Sequence, residues 1–251
     1  MSTPERYRRH RFPIEVVEHC VWLYFRFSLS YRNIEEMMAV RGVRVTYETV
    51  REWCRKFGAL YAAQLRKSRP RIGSKWHLDE VFLKMNGIQH YLWRGVDQNG
   101  VTIDILVQPK RDRWAALRFF RRLLCAAGGA PRVIITDKLR SYAAAKRWIL
   151  PEVEHRQSRY LNNRCENSHQ PTRTRERQMK RFRSSEQAQC FLSTFESINT
   201  AFRFRRHLLS AACYRRRLTH ALQLWRAIAL GVALPRTSAL ARSRLHIALL
   251  S

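Results

Sequence analysis

The feature that most constrains this fold is a change of hydrophobic period near residue 74. Trp76 to Met85, His90 to Val96 and Thr102 to Gln108 are short runs rich in β-branched and aromatic residues. Asn86-Gly87 and Asn99-Gly100 separate them, and both dipeptides favour tight turns between antiparallel strands. The pattern predicts a three-stranded meander. Asp112 to Ala127 then reads as a helix, capped by Asp112 and closed by Gly128-Gly129, and Arg132 to Thr136 as a buried strand. Strands first, then strand alternating with helix, predict a mixed α/β sheet.

Helical periodicity flanks that sheet. Ile14, Val17, Val21 and Phe25 recur at helical spacing after Pro13. Ser30 can cap a second helix facing inward through Ile34, Met37 and Met38. Gly42 stops it, and Thr46 can cap a third whose apolar face is Val50, Trp53, Cys54 and Phe57. Helix, turn, amphipathic helix is either a helix-turn-helix or a plain packing bundle. In the first case Tyr47, Glu48, Thr49 and Arg51 meet bases or phosphates in a major groove. Arg66 to Gly73 reads as a basic connector. From about Asn162 the chain turns helical and basic, and Ala201 to Arg217 contains no acid. Pro235 to Ser251 carries little periodic signal. The expected organisation is thus 1–65 for the N-terminal helices, 66–183 for the α/β core, and 184–251 for a basic helical region with its tail.

Charge narrows the function. The 251 residues hold 48 Lys+Arg against 19 Asp+Glu, a net charge of +29. A chain so charged repels itself unless a polyanion neutralises it, and nucleic acid is the leading polyanion, ahead of an anionic membrane. No run is long and apolar enough to span a bilayer, and the basic N-terminus lacks a signal-peptide core. The six cysteines lie far apart with no CxxC, which fits a reducing cytoplasm and neither a zinc ribbon nor a disulfide framework. Neither GxGxxG nor GxxxxGK[ST] occurs, so dinucleotide and ATP chemistry have no support.

With acids this scarce, their positions matter. Asp79 sits inside WHLDEVFLK, Asp137 ends VIIT, and Glu166 opens CENSHQPTR. A carboxylate within a sheet persists only if a cation or several donors compensate it. Three converging carboxylates would select a hard divalent ion, magnesium or manganese, and a pair of ions suits phosphodiester chemistry. Taken singly, each acid is also explained as a strand-edge residue, a strand-end cap or a helix-start acid. Glu80, Asp97 and Asp104 are weaker candidates, and Glu80 points to the opposite strand face from Asp79.

WHLDEVFLK, RVIITDKLRSY, VEHRQ and NNRCENSHQPTRTRER together resemble the DDE transposases of bacterial insertion sequences, most closely the cointegrate-forming insertion-sequence-six family. The similarity runs from HRFPIEVVEHC through MKRFRS. It implies a ribonuclease-H-like catalytic core behind an N-terminal helix-turn-helix, with Asp79, Asp137 and Glu166 as catalytic metal triad for Mg2+ or Mn2+, two ions being expected. It also matches Arg173, seven positions after Glu166, to a basic residue, and helical geometry puts Glu166, His169 and Arg173 on one face. Arg173 and His169 are therefore candidate DNA-phosphate contacts, with a packing role open for His169. The implied partners are double-stranded DNA, at the element ends and the target, and further copies of the chain as a homodimer or higher oligomer. The implied setting is a bacterial nucleoid. A repressor of the same outline, a nuclease that cuts without joining, and a decayed transposase are the competing readings.

Overall fold

The computed structural model describes residues 4–137, 139–158, 160–162, 165, 168–204 and 206–232. Helix α1 spans Ile14–Arg26, α2 Tyr31–Ala39 and α3 Tyr47–Ser68. Local chemistry sets their starts. Ser30 accepts from the Asn33 backbone while the Asn33 side chain answers the Ser30 backbone, closing a capping box. The Thr46 hydroxyl accepts from the Thr49 backbone at the head of α3.

Helix α3 continues well past Gly58 and takes in the first residues of the expected connector. That glycine answers a packing need. A Cβ there would lie 2.6 Å from the Phe25 ring, so its absence lets α1 and α3 approach closely. Tyr61, Ala62 and Leu65 carry the buried stripe onward. Arg66 and Lys67 consequently belong to the helix, and the connector begins at Arg69. Arg69 is itself tied down, donating to the Ile103 carbonyl at 2.9 Å and to that of Ala126.

The sheet holds β1 (Lys75–Met85), β2 (Ile88–Asp97), β3 (Thr102–Gln108), β4 (Val133–Thr136) and β5 (Glu154–Gln157) in the order β3-β2-β1-β4-β5. β1 to β3 form the antiparallel meander, and β4 and β5 run parallel to β1. This is a ribonuclease-H-like mixed sheet. The β1–β2 turn needs left-handed backbone at both central residues, supplied by Asn86 (φ 48°) and Gly87 (φ 82°). Helix α4 (Arg113–Ala127) starts on the Asp112 carboxylate, which accepts from the Ala115 backbone at 2.8 Å. Helix α5 (Arg140–Ile149) joins β4 to β5.

Helices on both faces of the sheet fix the layers. On one face, Trp76, Leu78 and Trp93 pack against Phe119, Phe120 and Tyr142 of α4 and α5. On the other, Val81, Leu83, Leu92 and Ile105 meet Ala188 and Leu192 of α7 (Ser185–Phe202), which follows α6 (Gln170–Gln178). The C-terminal half of α7 also turns a face away from the sheet. Phe195, Ile198 and Phe202 join a second core with α1, α2, α3 and α8 (Ala211–Leu230). The first three helices and the last therefore close around a common interior, with α7 spanning both cores. Among the described residues no helix is long and apolar enough to cross a membrane. The expected tail, 235–251, lies outside the described residues.

Candidate active site

Parallel pairing of β1 with β4 aligns the first two candidate acids. Lys75, Trp76 and His77 pair with Val133, Ile134 and Ile135. Continuing that offset by two residues sets Asp137 level with Asp79, on adjacent chains where β4 ends. Side-chain exposure is 17% for Asp79 and 34% for Asp137, so both carboxylates keep an open side. Asp137 also caps its own turn, accepting from the Leu139 backbone at 3.0 Å.

Each acid has a different neighbour. His169 Nε2 lies 3.4 Å from Asp79 Oδ2. That imidazole is buried, and burial drives its pKa down to about 4, so at neutral pH it is uncharged. Asp137 has Arg111 at 3.8 Å, while the same guanidinium binds Glu80 at 2.6 Å. Glu80 faces Tyr142 on the α5 side of the sheet, opposite Asp79. Burial pushes its pKa up to about 7, and the charge of Asp137 adds to the rise. Arg111 thus reaches one carboxylate at the open site and another buried beneath it.

The third candidate, Glu166, lies outside the described residues, but its neighbours Cys165 and Ser168 are described. Both are fixed on Arg94, the β2 residue paired with Asp79. The Cys165 thiol donates to the Arg94 carbonyl at 3.5 Å, and Arg94 Nη1 donates to the Ser168 carbonyl at 2.6 Å. Arg94 is fully buried. Its Nη2 donates to Glu196 of α7 at 2.7 Å and to the Thr172 hydroxyl at 2.6 Å, and that hydroxyl donates to Glu196 at 2.8 Å. Sheet, α6 and α7 therefore meet at one buried ion pair. Among the described residues, no group of three His, Cys, Asp or Glu side chains is arranged to hold a metal.

The remaining candidates scatter. His169 is turned inward, whereas Arg173, bonded one helical turn later to the His169 carbonyl, is exposed. Tyr47, Thr49 and Arg51 cluster at the start of α3, about which Arg44, Arg55 and Lys56 are exposed. Arg32 stacks 5.1 Å from the Tyr47 ring centre, and Arg51 pairs with Glu48 at 3.1 Å. Asp97 is a structural acid, accepting from the backbones of Gly73, Asn99 and Val101. Asp104 pairs with Arg122.

Sequence reasoning missed Arg94, Arg111 and Glu196. Arg94 and Glu196 stand out only as charges within apolar runs, YLWRGV and FESIN. Arg111, in a basic turn, gives no comparable signal.

A family model described as a DDE domain matches residues 73–205. A transposase for the insertion sequence-like element IS431mec of Staphylococcus aureus is 31% identical over 208 residues, spanning 81% of this chain and 91% of the relative. The transposase of insertion sequence IS257 in transposon Tn4003, also from Staphylococcus aureus, matches with the same identity and cover. Among solved structures, the catalytic core domain of the HTLV-2 integrase in complex with magnesium aligns with a TM-score of 0.42 and 11% identity. That alignment covers 58% of this chain and 95% of the other.

Proposed function

Because this chain belongs to the insertion-sequence-six family of DDE transposases and is a DNA transposase, we propose that it binds the terminal inverted repeats of its element, nicks the element ends and joins them to target DNA, yielding a cointegrate by replicative transposition. What supports this reading is the β1–β4 register, which continued by two residues sets Asp79 and Asp137 level, with residues 165 and 168 anchored on the strand beside Asp79. We infer that Glu166 completes the set.

The donors fit a hard divalent cation. Two carboxylates keep exposed oxygens, and the neighbour of one is a buried imidazole while that of the other is a guanidinium shared with Glu80. Oxygen donors of this kind suit Mg2+ or Mn2+, held by Asp79, Asp137 and Glu166. When bound, such ions supply Lewis acidity at phosphate oxygens and lower the pKa of an attacking hydroxyl or water.

The protein's own groups divide the remaining work. His169 packs behind Asp79 and holds its carboxylate toward the opening. Arg111 neutralises Glu80, so the buried acid does not add to the repulsion at the site. Exposed Arg173 holds a DNA phosphate near the carboxylates. The first turn of α3, through Tyr47, Thr49 and Arg51, enters a major groove of the terminal repeat. At the element end, water attacks the phosphodiester and the bond from phosphorus to the 3′ oxygen breaks, freeing a 3′-hydroxyl. That hydroxyl then attacks a target phosphodiester, forming one phosphorus–oxygen bond as another breaks. Joining two ends requires at least two copies of the chain, a homodimer or larger assembly.

The test is an end-joining reaction with magnesium, element-end DNA and target. Asp79→Asn, Asp137→Asn and Glu166→Gln are each expected to bind DNA and to lose nicking and joining by several orders of magnitude. Joining that persists in any one of them removes that residue from the triad.

A further inference from the structure

Two tryptophans stand on the surface of the α/β core for which neither packing nor the joining chemistry gives a reason. Trp114, in the first turn of α4, is 54% exposed, and Trp148, in the last turn of α5, is 67% exposed. Their rings meet at 75° with centres 6.5 Å apart. The Arg113 guanidinium lies over both, 4.7 Å from one ring centre and 5.5 Å from the other. Leaving two indoles in water forgoes a large hydrophobic gain, because each aromatic side chain carries 150–250 Å² of buriable surface as a rough scale.

The surroundings specify the occupant. Neither α4 nor α5 contains an acidic residue, while Arg113, Arg118, Arg121, Arg122, Arg140, Lys146 and Arg147 all lie on them. Among the described residues, only Arg122 of these seven pairs with a carboxylate, Asp104. A second copy docked symmetrically here would set cations against cations, which disfavours self-association. An anionic partner with flat apolar faces matches both the charge and the rings. The location adds a constraint: Arg111, two residues before Arg113, touches Asp137. Trp148 stands eight residues along α5 from Arg140, about 12 Å by helical rise.

We propose that Trp114, Trp148 and Arg113 form a stacking platform for unpaired nucleobases of the DNA strand leaving the active site. A duplex base has both faces covered by its neighbours, so surface indoles cannot reach them. Cutting one strand leaves an end that frays, and a frayed base offers a free face within reach of the platform. Phosphates of that strand meet Arg140 and Arg147. Stacking tolerates any base, because all have a π-face, and the arginine adds a cation–π contribution. The platform rests on the reading of DNA as substrate given above.

The test compares full-length wild type with W114A/W148A and W114F/W148F, by fluorescence anisotropy at fixed salt. The probes are a labelled 12-nucleotide thymidine strand, an abasic strand of equal length and charge, and an element-end duplex. Wild type is expected to prefer the base-bearing strand over the abasic one by roughly 5- to 150-fold per stacked base. The alanine variant is expected to lose that preference while keeping its duplex affinity, and the phenylalanine variant to retain most of it. Equal affinity of wild type for both strands, or a preference undiminished in the alanine variant, overturns the platform. A fall in sedimenting mass of the alanine variant with unchanged strand preference overturns it too, assigning the surface to chain–chain contact. Failure of wild type to bind the duplex would instead remove the DNA reading itself.

Discussion

Glu196→Gln tests the junction that holds the site together. Glu196 is 6% exposed and lies 2.7 Å from the fully buried Arg94, whose other donors bind Ser168 and Thr172. Glutamine preserves volume and one acceptor oxygen, so the change is almost purely one of charge. It strands a guanidinium in the interior, and breaking a buried pair in this way costs about 3–5 kcal/mol. For a chain of this size each kcal/mol lowers the melting temperature by roughly 2–4 °C, giving an expected fall of roughly 6–20 °C. Urea denaturation followed by circular dichroism reads the loss directly, with an unchanged slope showing that the unfolded ensemble is unaltered. Removing both charges, in Arg94→Met with Glu196→Leu, should recover most of the loss, because two isosteric apolar groups leave no orphaned ion. A single-variant cost below about 1 kcal/mol, or a double variant no better than the single, would show that the network does not clamp α6 and α7 to the sheet.

Arg111→Met should lower metal-free stability by about 1–3 kcal/mol, since Glu80 loses its charged partner; melting in chelator measures it, and an unchanged midpoint dismisses the bridging role. Glu18 is buried and accepts from the Trp225 indole, and burial raises its pKa to about 7 from an ordinary 4.5. The protonated form therefore stabilises the fold fully below pH 4.5, and that contribution disappears as pH rises through 7, a loss of about 3 kcal/mol. Glu18→Gln should flatten this slope and exceed wild type at pH 8 in urea titrations; an unaltered pH profile contradicts it. Inserting 5 base pairs between the segment bound by α3 and the nicking position should abolish nicking, because roughly half a helical turn of DNA points the phosphodiester away. A nick that simply moves with the insertion would show the two parts of the protein to be independently mobile.

Much of this architecture was legible because its determinants are local. The Ser30, Thr46 and Asp112 caps, the Asn86-Gly87 turn and the alternation along β1 each depend on residues a few positions apart. The expected connector starts too early, at Arg66, because two basic residues ending a helix look in sequence like the start of a linker, and the helix runs on to Ser68. Helix α5 and strand β5 escaped notice for another reason. RSYAAAKRWI is short and buries only Tyr142 and Ala145, and EHRQ is an edge strand with no buried residue, so neither carries a long apolar stripe. The site was legible as far as the scarcity of acids allowed. That scarcity drew attention to Asp79 and Asp137, which the β1–β4 register, continued by two residues, would set level. The same reasoning applied to FESIN would have marked Glu196, but its partner Arg94 stands 102 positions away and no spacing rule links them. His169 shows the opposite limit. Helical spacing places it on a face but cannot tell whether the face looks out toward phosphate or in toward Asp79.

The two cores imply that the proposed groove reading and the proposed catalysis would be geometrically coupled. Helix α7 contributes Ala188 and Leu192 to the sheet's core and Phe195, Ile198 and Phe202 to the helical one. A helix is stiff over this length, so its two halves cannot turn independently without breaking backbone hydrogen bonds. Helix α3 is held to α7 by Arg66, which donates to the Ser197 hydroxyl at 2.8 Å, and by the close contact at Gly58 beside Thr194. Arg175 of α6 makes the reverse connection, donating to the Leu29 carbonyl at 2.8 Å and stacking 4.2 Å over Tyr24 of α1. Both connections end within one helix of the Arg94–Glu196 pair that anchors residues beside Asp79. Displacing the first turn of α3 relative to the carboxylates would thus require giving up a buried charge pair or the shared aromatic interior, each costing several kcal/mol. Thermal motion does not supply that, so on the proposed reading DNA held by α3 would be presented to Asp79 and Asp137 at a fixed offset.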